Sequence, residues 1–599
     1  MSFLAKNKTS KNNTAKVPFK ERFEINKKKV WSSILVCGAV FILLAGSAIA
    51  AFCQNAAELS FTLKDFAPLY VGVIFAFCAC FFVSMLLTKG VVHKILFVLY
   101  SALAFIGGIQ NMISTFTFTG LMGDGTSLPP TITAQILNVL MWVAIAGGMV
   151  WLVFFFKDAD FGRTIVSLGL VFVMVTQAGT TLIETLSYAT NPDKRNVHID
   201  AIKKEDGDNT DDMSHLTSLN MFEVSTKDNI IVFVLDRFSQ TYFESFLSTD
   251  SAYIDELDGF TYYNDNIAKY PRTFPAVISM LTGMTYDYED TRDEFMEEAY
   301  ADSTFLKDLK NNGYKINLYI PKEDAYGNAN VFNGMVSNTA ETTGYSVNKA
   351  DMLSNIFSLS SYFWTPEVFK TSNTISLSTL NSAVTLEGAA PNYAITNTSD
   401  AEHYDTFCED GLSTQSSNGT FTFLHLRGCH SPLTIDENCE VFSEEGTNTY
   451  ADVIRQTTGM FKFITEYIQQ LKDLGLYEDA TIIITGDHSA LTSDKEPYTS
   501  SKLTALLVKE SGKSGTPMKT STAQVSQDNF LATIIKSAGI ETQYDYGKAY
   551  SEIAEGETTT RTHYFNTLHV NPPEYYEYTI EGKGSDFENW KVTNQYTSD

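Results

Sequence analysis

Five long apolar segments near the N-terminus are the feature that most constrains how this chain can fold. They cover residues 30–53, 67–88, 91–111, 133–157 and 163–185. Each approaches the ~20 apolar residues that a transmembrane helix needs. A buried core helix would explain any one of them, but five in series are not typical of a soluble domain. The first resembles a signal peptide, yet four more follow it, and we interpret it as a retained helix. The sequence therefore predicts a five-helix transmembrane domain over 30–185.

Basic residues predict how these helices are oriented. The tail at residues 1–29 contains nine Lys or Arg and two Glu. The turns after the second and fourth segments are also basic, whereas the loops after the first and third share Lys64 as their only base. Cytoplasmic loops are enriched in Lys and Arg. We therefore expect a multi-pass protein of the plasma membrane, with a cytoplasmic N-terminus and an extracellular or periplasmic C-terminal part.

The chain beyond the apolar segments alternates between two kinds of pattern. Residues 186–228 are polar and are interpreted as a juxtamembrane linker. Continuous apolar runs, typical of strands buried on both faces, then alternate with helical patterns. The runs are 229–236, 315–320, 420–426, 481–485 and 503–508, and the helices are 303–312, 449–473 and 527–538. This alternation predicts an α/β domain over 229–545, with a mostly parallel sheet flanked by helices. Residues 546–599 are expected to form a hairpin and tail packed on it.

Composition excludes some classes of function. Hydrophobic residues make up 44% of the chain, which is too many for a disordered protein. There are 70 acidic and 43 basic residues, so a nucleic-acid partner is not expected. Seven Cys are too few for a disulfide scaffold. A bridge between Cys429 and Cys439 and the oligomeric state both stay open.

Several chemically active side chains follow the predicted strands. Asp236 ends the first strand, Asp487 and His488 follow the run at 481–485, and Thr273 precedes a helix. Sites in such sheets form beyond the carboxyl ends of the strands. Carboxylate and imidazole groups suit Zn²⁺, Mn²⁺ or Mg²⁺, and a metal-bound hydroxyl is an activated nucleophile. Each residue alone is more often a cap or turn former, but together they indicate phosphoryl transfer through a phospho-threonine.

Five motifs carry a family resemblance. They are N-I-I-V-F-V-L-D at 229–236, T-F-P-A-V-I-S-M-L-T-G at 273–283, F-L-K-D-L-K-N-N-G-Y-K at 305–315, H-L-R-G-C-H-S-P at 425–432 and L-Y-E-D-A-T-I-I-I-T-G-D-H-S at 476–489. On these segments the chain resembles the membrane-anchored branch of the alkaline phosphatase/sulfatase superfamily. It is most similar to lipoteichoic acid synthase type phosphoglycerol transferases and lipid A type phosphoethanolamine transferases.

The resemblance implies a metal site and a nucleophile. Asp236, Thr273, Asp487 and His488 would hold one divalent metal ion, Mn²⁺ or Zn²⁺ with Mg²⁺ as an alternative. Thr273 would also attack the phosphorus. The two transferase groups usually have Glu at the first ligand position, whereas this chain has Asp236 followed by Arg237. A sulfatase would need C/S-x-P-S-R at the nucleophile, and this chain has T-F-P-A-V.

The resemblance also implies which residues contact the substrate. His430 corresponds to the loop histidine near the substrate phosphoryl group, as a general acid or base or as a hydrogen-bond donor. Arg427 either binds a phosphate oxygen or forms a structural salt bridge, and Arg237 is a further candidate for substrate binding. His425 lies within a predicted strand and is interpreted as structural.

These roles define an expected enzyme, a sulfatase-superfamily phosphotransferase. It would move a phosphoglycerol or phosphoethanolamine head group from a membrane lipid donor to a cell-envelope glycan or lipid acceptor. A membrane-anchored phosphodiesterase or sulfatase-like hydrolase, with water as the acceptor, is the first alternative. A non-catalytic, degenerate surface protein is the second. The transferred group and the identity of the metal stay open.

Overall fold

The computed structural model describes most of the chain outside its N-terminal tail and several loops. The described residues are 23–56, 59, 61–117, 132–190, 214–249, 252–288, 290, 292–321, 325–326, 329–370, 380, 383–388, 400–431, 433–442, 449–489, 503–567 and 574–597. Most of the predicted cytoplasmic tail and residues 191–213 of the predicted linker therefore lie outside the described residues.

Five long apolar helices form the N-terminal part, as the sequence predicts. They are α1 Lys27–Asn55, α2 Leu63–Leu87, α3 Gly90–Thr117, α4 Ile132–Phe154 and α5 Ala159–Thr190. Each is long and apolar enough to cross a membrane. A Cβ atom at Gly108 would lie 2.1 Å from Cγ1 of Val173, so a small residue is what lets α3 and α5 approach closely.

The C-terminal part contains nine described helices and seventeen described strands. The helices are α6 Gln240–Leu247, α7 Thr273–Thr282, α8 Arg292–Asp302, α9 Thr304–Asn311, α10 Lys349–Trp364, α11 Glu367–Lys370, α12 Asp400–Asp410, α13 Tyr450–Asp473 and α14 Phe530–Ser537. The strands are β1 Ser214–Leu216, β2 Glu223–Ser225, β3 Asp228–Leu235, β4 Thr261–Tyr263, β5 Asn266–Ile267, β6 Tyr314–Tyr319, β7 Thr339–Val347, β8 Val384–Gly388, β9 Ser413–Gln415, β10 Gly419–Leu426, β11 Thr481–Thr485, β12 Leu506–Lys509, β13 Lys519–Ser521, β14 Val525–Ser526, β15 Thr560–Thr567, β16 Glu574–Glu581 and β17 Trp590–Thr597.

A seven-stranded sheet forms the centre of this part, with the order β13-β4-β12-β11-β3-β10-β6. The strands β6, β10, β3 and β11 are parallel neighbours. β12 is antiparallel to both of its neighbours, β11 and β4, while β13 is parallel to β4. The predicted mostly parallel sheet is therefore confirmed. Every residue of β3 after Asp228 is buried, as its continuous apolar sequence indicates.

The predicted C-terminal hairpin region contains three strands. β15, β16 and β17 form an antiparallel sheet. Its apolar face packs on Ile267 and Leu503 of the larger domain. A buried ion pair adds to this contact, because Nη1 of Arg561 lies 2.9 Å from Oδ1 of Asp265.

An insertion between β7 and β8 contacts the helix bundle. Its helix α10 buries the apolar stripe formed by Met352, Ile356, Leu359 and Phe363, at the spacing of one helix face. This stripe belongs to the same hydrophobic core as the buried residues of α1 to α3. The insertion therefore packs into the core of the bundle, while the central sheet has a separate core of its own.

The short helix α11 adds polar contacts at this junction. Lys370 Nζ lies 2.7 Å from Oε1 of Glu367 and donates a hydrogen bond of 2.7 Å to Ser114 Oγ in α3. Gln110 Nε2 donates to the same Glu367 carboxylate at 2.8 Å. The side chain of Lys370 is only 5% exposed, so its charge depends on these partners.

Candidate active site

Strand register brings the candidate ligands to one edge of the central sheet. Val234 of β3 pairs with His425 of β10 on one side and with Thr485 of β11 on the other. The three parallel strands therefore end at the same level. Asp236 and Asp487, two residues beyond these paired positions, lie beyond the carboxyl ends of the strands, where sites in such sheets are found.

The loops after the strands hold these residues in place. Arg237 has a positive φ of 59°, and its backbone N–H donates a hydrogen bond of 3.1 Å to Oδ1 of Asp487. Gly428 follows β10 with a φ of 56°. A Cβ atom there would lie 2.7 Å from the backbone nitrogen of Asp236, so only glycine allows this close approach.

Four side chains converge at this edge. His425 Nε2 lies 3.3 Å from Oδ2 of Asp487. His488 Nε2 lies 3.2 Å from Oδ1 of Asp236 and 3.7 Å from Oδ2 of Asp487. One ligand atom from each of Asp236, His425 and Asp487 falls within 4.8 Å of the others. The two carboxylates and two imidazoles thus form one compact cluster.

The hydrogen bonds of the cluster fit a bound divalent metal ion. His488 Nδ1 lies 2.9 Å from the carbonyl oxygen of Ser489, which can only accept, so Nδ1 carries a proton and Nε2 faces the carboxylates. Oδ1 of Asp236 is buried and makes no hydrogen bond among the described residues. A shared divalent cation would bind both carboxylates and the Nε2 lone pair of a neutral His488, and such O and N donors suit Zn²⁺, Mn²⁺ or Mg²⁺.

Charge and burial shift the pKa values of this cluster in opposite directions. Burial opposes the charge on Asp236, but the neighbouring His430 and His488 outweigh it and lower the pKa of that carboxyl. Burial would likewise lower the pKa of His488, yet the carboxylates of Asp487 and Asp236 raise it. The cluster therefore favours ionised carboxylates beside positive charge.

His430 lies beside the cluster in a different protonation state. Burial lowers its pKa to about 4, although Asp236 opposes this shift. Its Nδ1 lies 2.5 Å from the carbonyl oxygen of Ser431. The imidazole is therefore neutral at neutral pH, with the proton on Nδ1 and a lone pair on Nε2. Such a nitrogen can accept a proton or a hydrogen bond.

Thr273 begins the helix α7 and is only 9% exposed. Its hydroxyl makes no hydrogen bond within the described part of the chain, so no hydrogen bond joins it to the four clustered side chains. Gln527 links the two regions. Its Nε2 donates to the main-chain oxygens of Gly486 and Asp487, and its Oε1 accepts from the backbone N–H of Lys269. The helix carrying Thr273 is therefore tied to the ligand loop.

The two candidate arginines differ in their surroundings. The backbone N–H of Arg427 donates a hydrogen bond of 3.0 Å to Oδ1 of Asp400. Burial lowers the pKa of its guanidinium, and Asp236 and Asp400 oppose that shift, so the charge lies between two carboxylates. Arg237 interacts electrostatically with His430. Both arginines lie near the cluster, and their substrate contacts stay a prediction.

Two side chains near the candidate site do not follow from the sequence. The strand position of His425 predicts a structural role, whereas its imidazole lies within the cluster, and metal binding by it stays a prediction. Its place in the continuous buried run of β10 gives no signal, because only the registers of β10 and β11 on their shared neighbour β3 bring it to Asp487. Gln527 lies in no recognisable sequence motif. Its role depends on contacts with segments that are distant in the chain.

The suggested bridge between Cys429 and Cys439 is not formed. Both thiols are free and buried. Cys429 Sγ lies 3.3 Å from Thr457 Oγ1, and Cys439 Sγ donates to the backbone oxygen of Gly459 at 2.8 Å. The two side chains therefore have separate partners.

The family follows from comparison with known proteins. The profile of the Sulfatase family matches residues 228–540, which is more than half of the chain. The protein therefore belongs to the Sulfatase family, within the alkaline phosphatase/sulfatase superfamily that the motifs indicate. No curated protein matches the sequence.

Several solved structures are similar to the chain. The lipoteichoic acid synthase LtaP from Listeria monocytogenes is 14% identical, with 63% of this chain and 87% of that chain covered and a TM-score of 0.34. A protein of the alkaline phosphatase superfamily from Vibrio parahaemolyticus is 13% identical, with coverage of 67% and 88% and a TM-score of 0.35. The phosphonate monoester hydrolase SpPMH from Silicibacter pomeroyi is 12% identical, with coverage of 62% and 89% and a TM-score of 0.34.

Proposed function

We propose that this chain is a metal-dependent phosphotransferase. It moves a phosphoglycerol or phosphoethanolamine head group from a membrane lipid to a glycan or lipid of the cell envelope. The observation that carries the proposal is the cluster of Asp236, His425, Asp487 and His488 on a chain that also contains five potential membrane-spanning helices. The packing of α10 into the helix bundle supports a lipid donor, since it keeps the sheet close to the bilayer.

The residue at the nucleophile position favours phosphoryl over sulfuryl transfer. The segment is T-F-P-A-V, without the Cys or Ser of C/S-x-P-S-R from which sulfatases make formylglycine. Thr273 offers a hydroxyl instead. A divalent ion held by the clustered side chains would lower the pKa of that hydroxyl and offset charge on the phosphoryl oxygens.

The reaction then proceeds in two displacements. Thr273 Oγ1 forms a bond to phosphorus, the bond from phosphorus to the diacylglycerol oxygen breaks, and that oxygen takes up a proton. The acceptor hydroxyl next attacks the phospho-threonine, and Thr273 leaves with its hydroxyl restored. His430 is suited to relay these protons, because its Nε2 carries a lone pair at neutral pH.

Two substitutions at one position test the nucleophile. The full-length protein is reconstituted in liposomes with head-group-labelled phosphatidylglycerol or phosphatidylethanolamine, and diacylglycerol release is measured. We expect Thr273→Val to abolish release, because it keeps the shape and removes the hydroxyl. Thr273→Ser, which keeps the hydroxyl, should retain measurable activity. Full activity in Thr273→Val would overturn the assignment.

The position of the label identifies the reaction. Mass spectrometry of the wild-type protein after exposure to lipid should show an adduct on Thr273, and its mass identifies the transferred group. Label that appears on an added glycan or lipid acceptor supports a transferase. Label found only in water-soluble head group would show a hydrolase instead.

A further inference from the structure

A large cavity opens at the end of the helix bundle where α1, α3 and α5 begin. Its volume is about 760 Å³, and its lining includes Lys28, Gly90 and Asp160 from the first turns of these three helices. The backbone N–H groups of a helix's first turn lack intrahelical partners, and the dipole makes this end partially positive. Three such ends meet around one cavity, with Asn26 and Asp158 already accepting from first-turn N–H groups of α1 and α5.

Basic side chains add to this positive potential. Lys89, Lys94 and Arg163 line the cavity together with Lys28. Among the described residues Lys89 and Lys94 have no ion-pair partner, although Lys94 Nζ lies 5.5 Å from the ring centre of Phe154. Their charges are therefore available to an anionic ligand.

The other charged groups of the lining do not cancel this excess. Asp160 pairs with Lys28 at 3.0 Å and lies 3.9 Å from Arg163, and Glu24 is the second acidic group. Lys29 is buried, and its ammonium donates to the main-chain oxygens of Phe23, Leu86 and Thr88. Because Lys29 binds the main chain at the end of α2 rather than facing the cavity, four Lys or Arg face two acidic residues.

Aromatic residues indicate the depth of the cavity in a bilayer. Trp31 lines the cavity and is 69% exposed. Trp151 packs against Phe156, which in turn stacks on Phe161, at the turn between α4 and α5. Aromatic side chains of this kind concentrate at the level of the lipid head groups. Basic pockets between transmembrane helices on the cytoplasmic side bind phosphorylated head groups.

We propose that this cavity binds a phosphate-bearing anion at a site separate from the candidate active site. The anion is supplied by an anionic phospholipid of the leaflet in which the cavity opens. The phosphate would accept from the ammonium groups of Lys89 and Lys94 and from the guanidinium of Arg163. The adjoining exposed surface of α1 would contact the acyl chains. Lipid binding in this cavity does not depend on the proposed transfer reaction. It would extend the function of the bundle beyond anchoring.

Lipid binding to the purified full-length protein tests this site. Native mass spectrometry in detergent compares phosphatidylglycerol with phosphatidylcholine of the same chains, and inorganic phosphate is added in a separate arm. We expect phosphatidylglycerol to bind in preference to phosphatidylcholine. The preference should fall about fivefold for each removed cation, and on the order of a hundredfold in the triple variant Lys89→Gln, Lys94→Gln, Arg163→Gln.

The matched control is Lys64→Gln, which removes the same charge from the first turn of α2 at the opposite end of the bundle. It should bind phosphatidylglycerol like the wild type. If the triple variant fails to fold, Lys94→Gln alone provides the comparison, with circular dichroism as the folding check. Equal binding of both lipids, or an unchanged preference in the variants, would overturn the proposal. Displacement of the lipid by millimolar inorganic phosphate would overturn the assignment to a lipid.

Discussion

Gln527 donates a hydrogen bond from its side-chain amide to the main-chain oxygen of Asp487. The same side chain accepts from the backbone N–H of Lys269, four residues before Thr273. One buried amide therefore sets the spacing between the predicted nucleophile helix and the ligand loop. It touches no substrate, and we regard it as a positioning residue.

Gln527→Leu should lower activity by displacing the nucleophile helix relative to the ligand loop, while every reacting group is retained. We expect kcat to fall roughly tenfold to a hundredfold, because small displacements of reacting groups cost that much. Unfolding free energy should fall by about 1–3 kcal/mol, since buried partners lose their hydrogen bonds. Gln524→Leu is the control, because Gln524 accepts from the backbone N–H of Thr559 instead. A larger loss of kcat in the control than in Gln527→Leu would contradict this role.

His425→Gln tests whether that imidazole is a metal ligand. We expect at least tenfold weaker metal affinity, measured by titration of the metal-depleted full-length protein and by elemental analysis. His403→Gln is the control, because His403 is buried in α12 outside the cluster. It should keep the wild-type metal content. If His425→Gln changes only thermal stability and leaves metal affinity intact, His425 is structural, as its strand position had indicated.

Lys370→Met should uncouple the α/β domain from the helix bundle. It leaves the carboxylate of Glu367 without its cation in a buried contact, which costs about 3 kcal/mol. We expect lower activity on lipid in liposomes and unchanged activity on a water-soluble short-chain analogue. Lys349→Met, at the exposed start of α10, should leave both rates unchanged. Equal losses on both substrates would indicate damage to the active site itself.

His403 should make stability depend on pH. Burial lowers its pKa from 6.5 to about 4, so between these values the unfolded chain binds the proton and the folded chain does not. The free energy of unfolding therefore rises by up to about 3 kcal/mol for this group as pH increases from about 4 to 6.5. Above pH 6.5 this contribution is constant. His403→Phe should reduce that dependence, measured as Tm of the full-length protein across this range. A constant difference in Tm between the wild type and His403→Phe at every pH would argue against a role for His403 in this pH dependence.

Much of the fold was accessible from the sequence because its signals are local. The five apolar helices and the strands β3, β10 and β11 follow from continuous hydrophobic runs. Asp236, Asp487 and His488 could be predicted because each directly follows such a run. The position of His425 could not, since it depends on the register of β10 against β3. The reversal of β12 likewise depends on pairing between distant strands.

The insertion between β7 and β8 was not anticipated. Its helix α10 has an amphipathic pattern, but the sequence does not indicate what covers the apolar face. The structure places that face against α1 to α3, a contact between segments more than 200 residues apart. The role of Gln527 is not apparent from the sequence for the same reason, because its partners lie in two separate loops and in the helix α7.

The shared interior of α10 and the bundle has a consequence for handling this protein. A fragment cut after α5 would expose an apolar stripe to water, formed by Met352, Ile356, Leu359 and Phe363. Exposed apolar surfaces of this kind promote self-association. A fragment released by proteolysis after α5 would thus yield aggregates rather than soluble monomers, unless the insertion is removed as well.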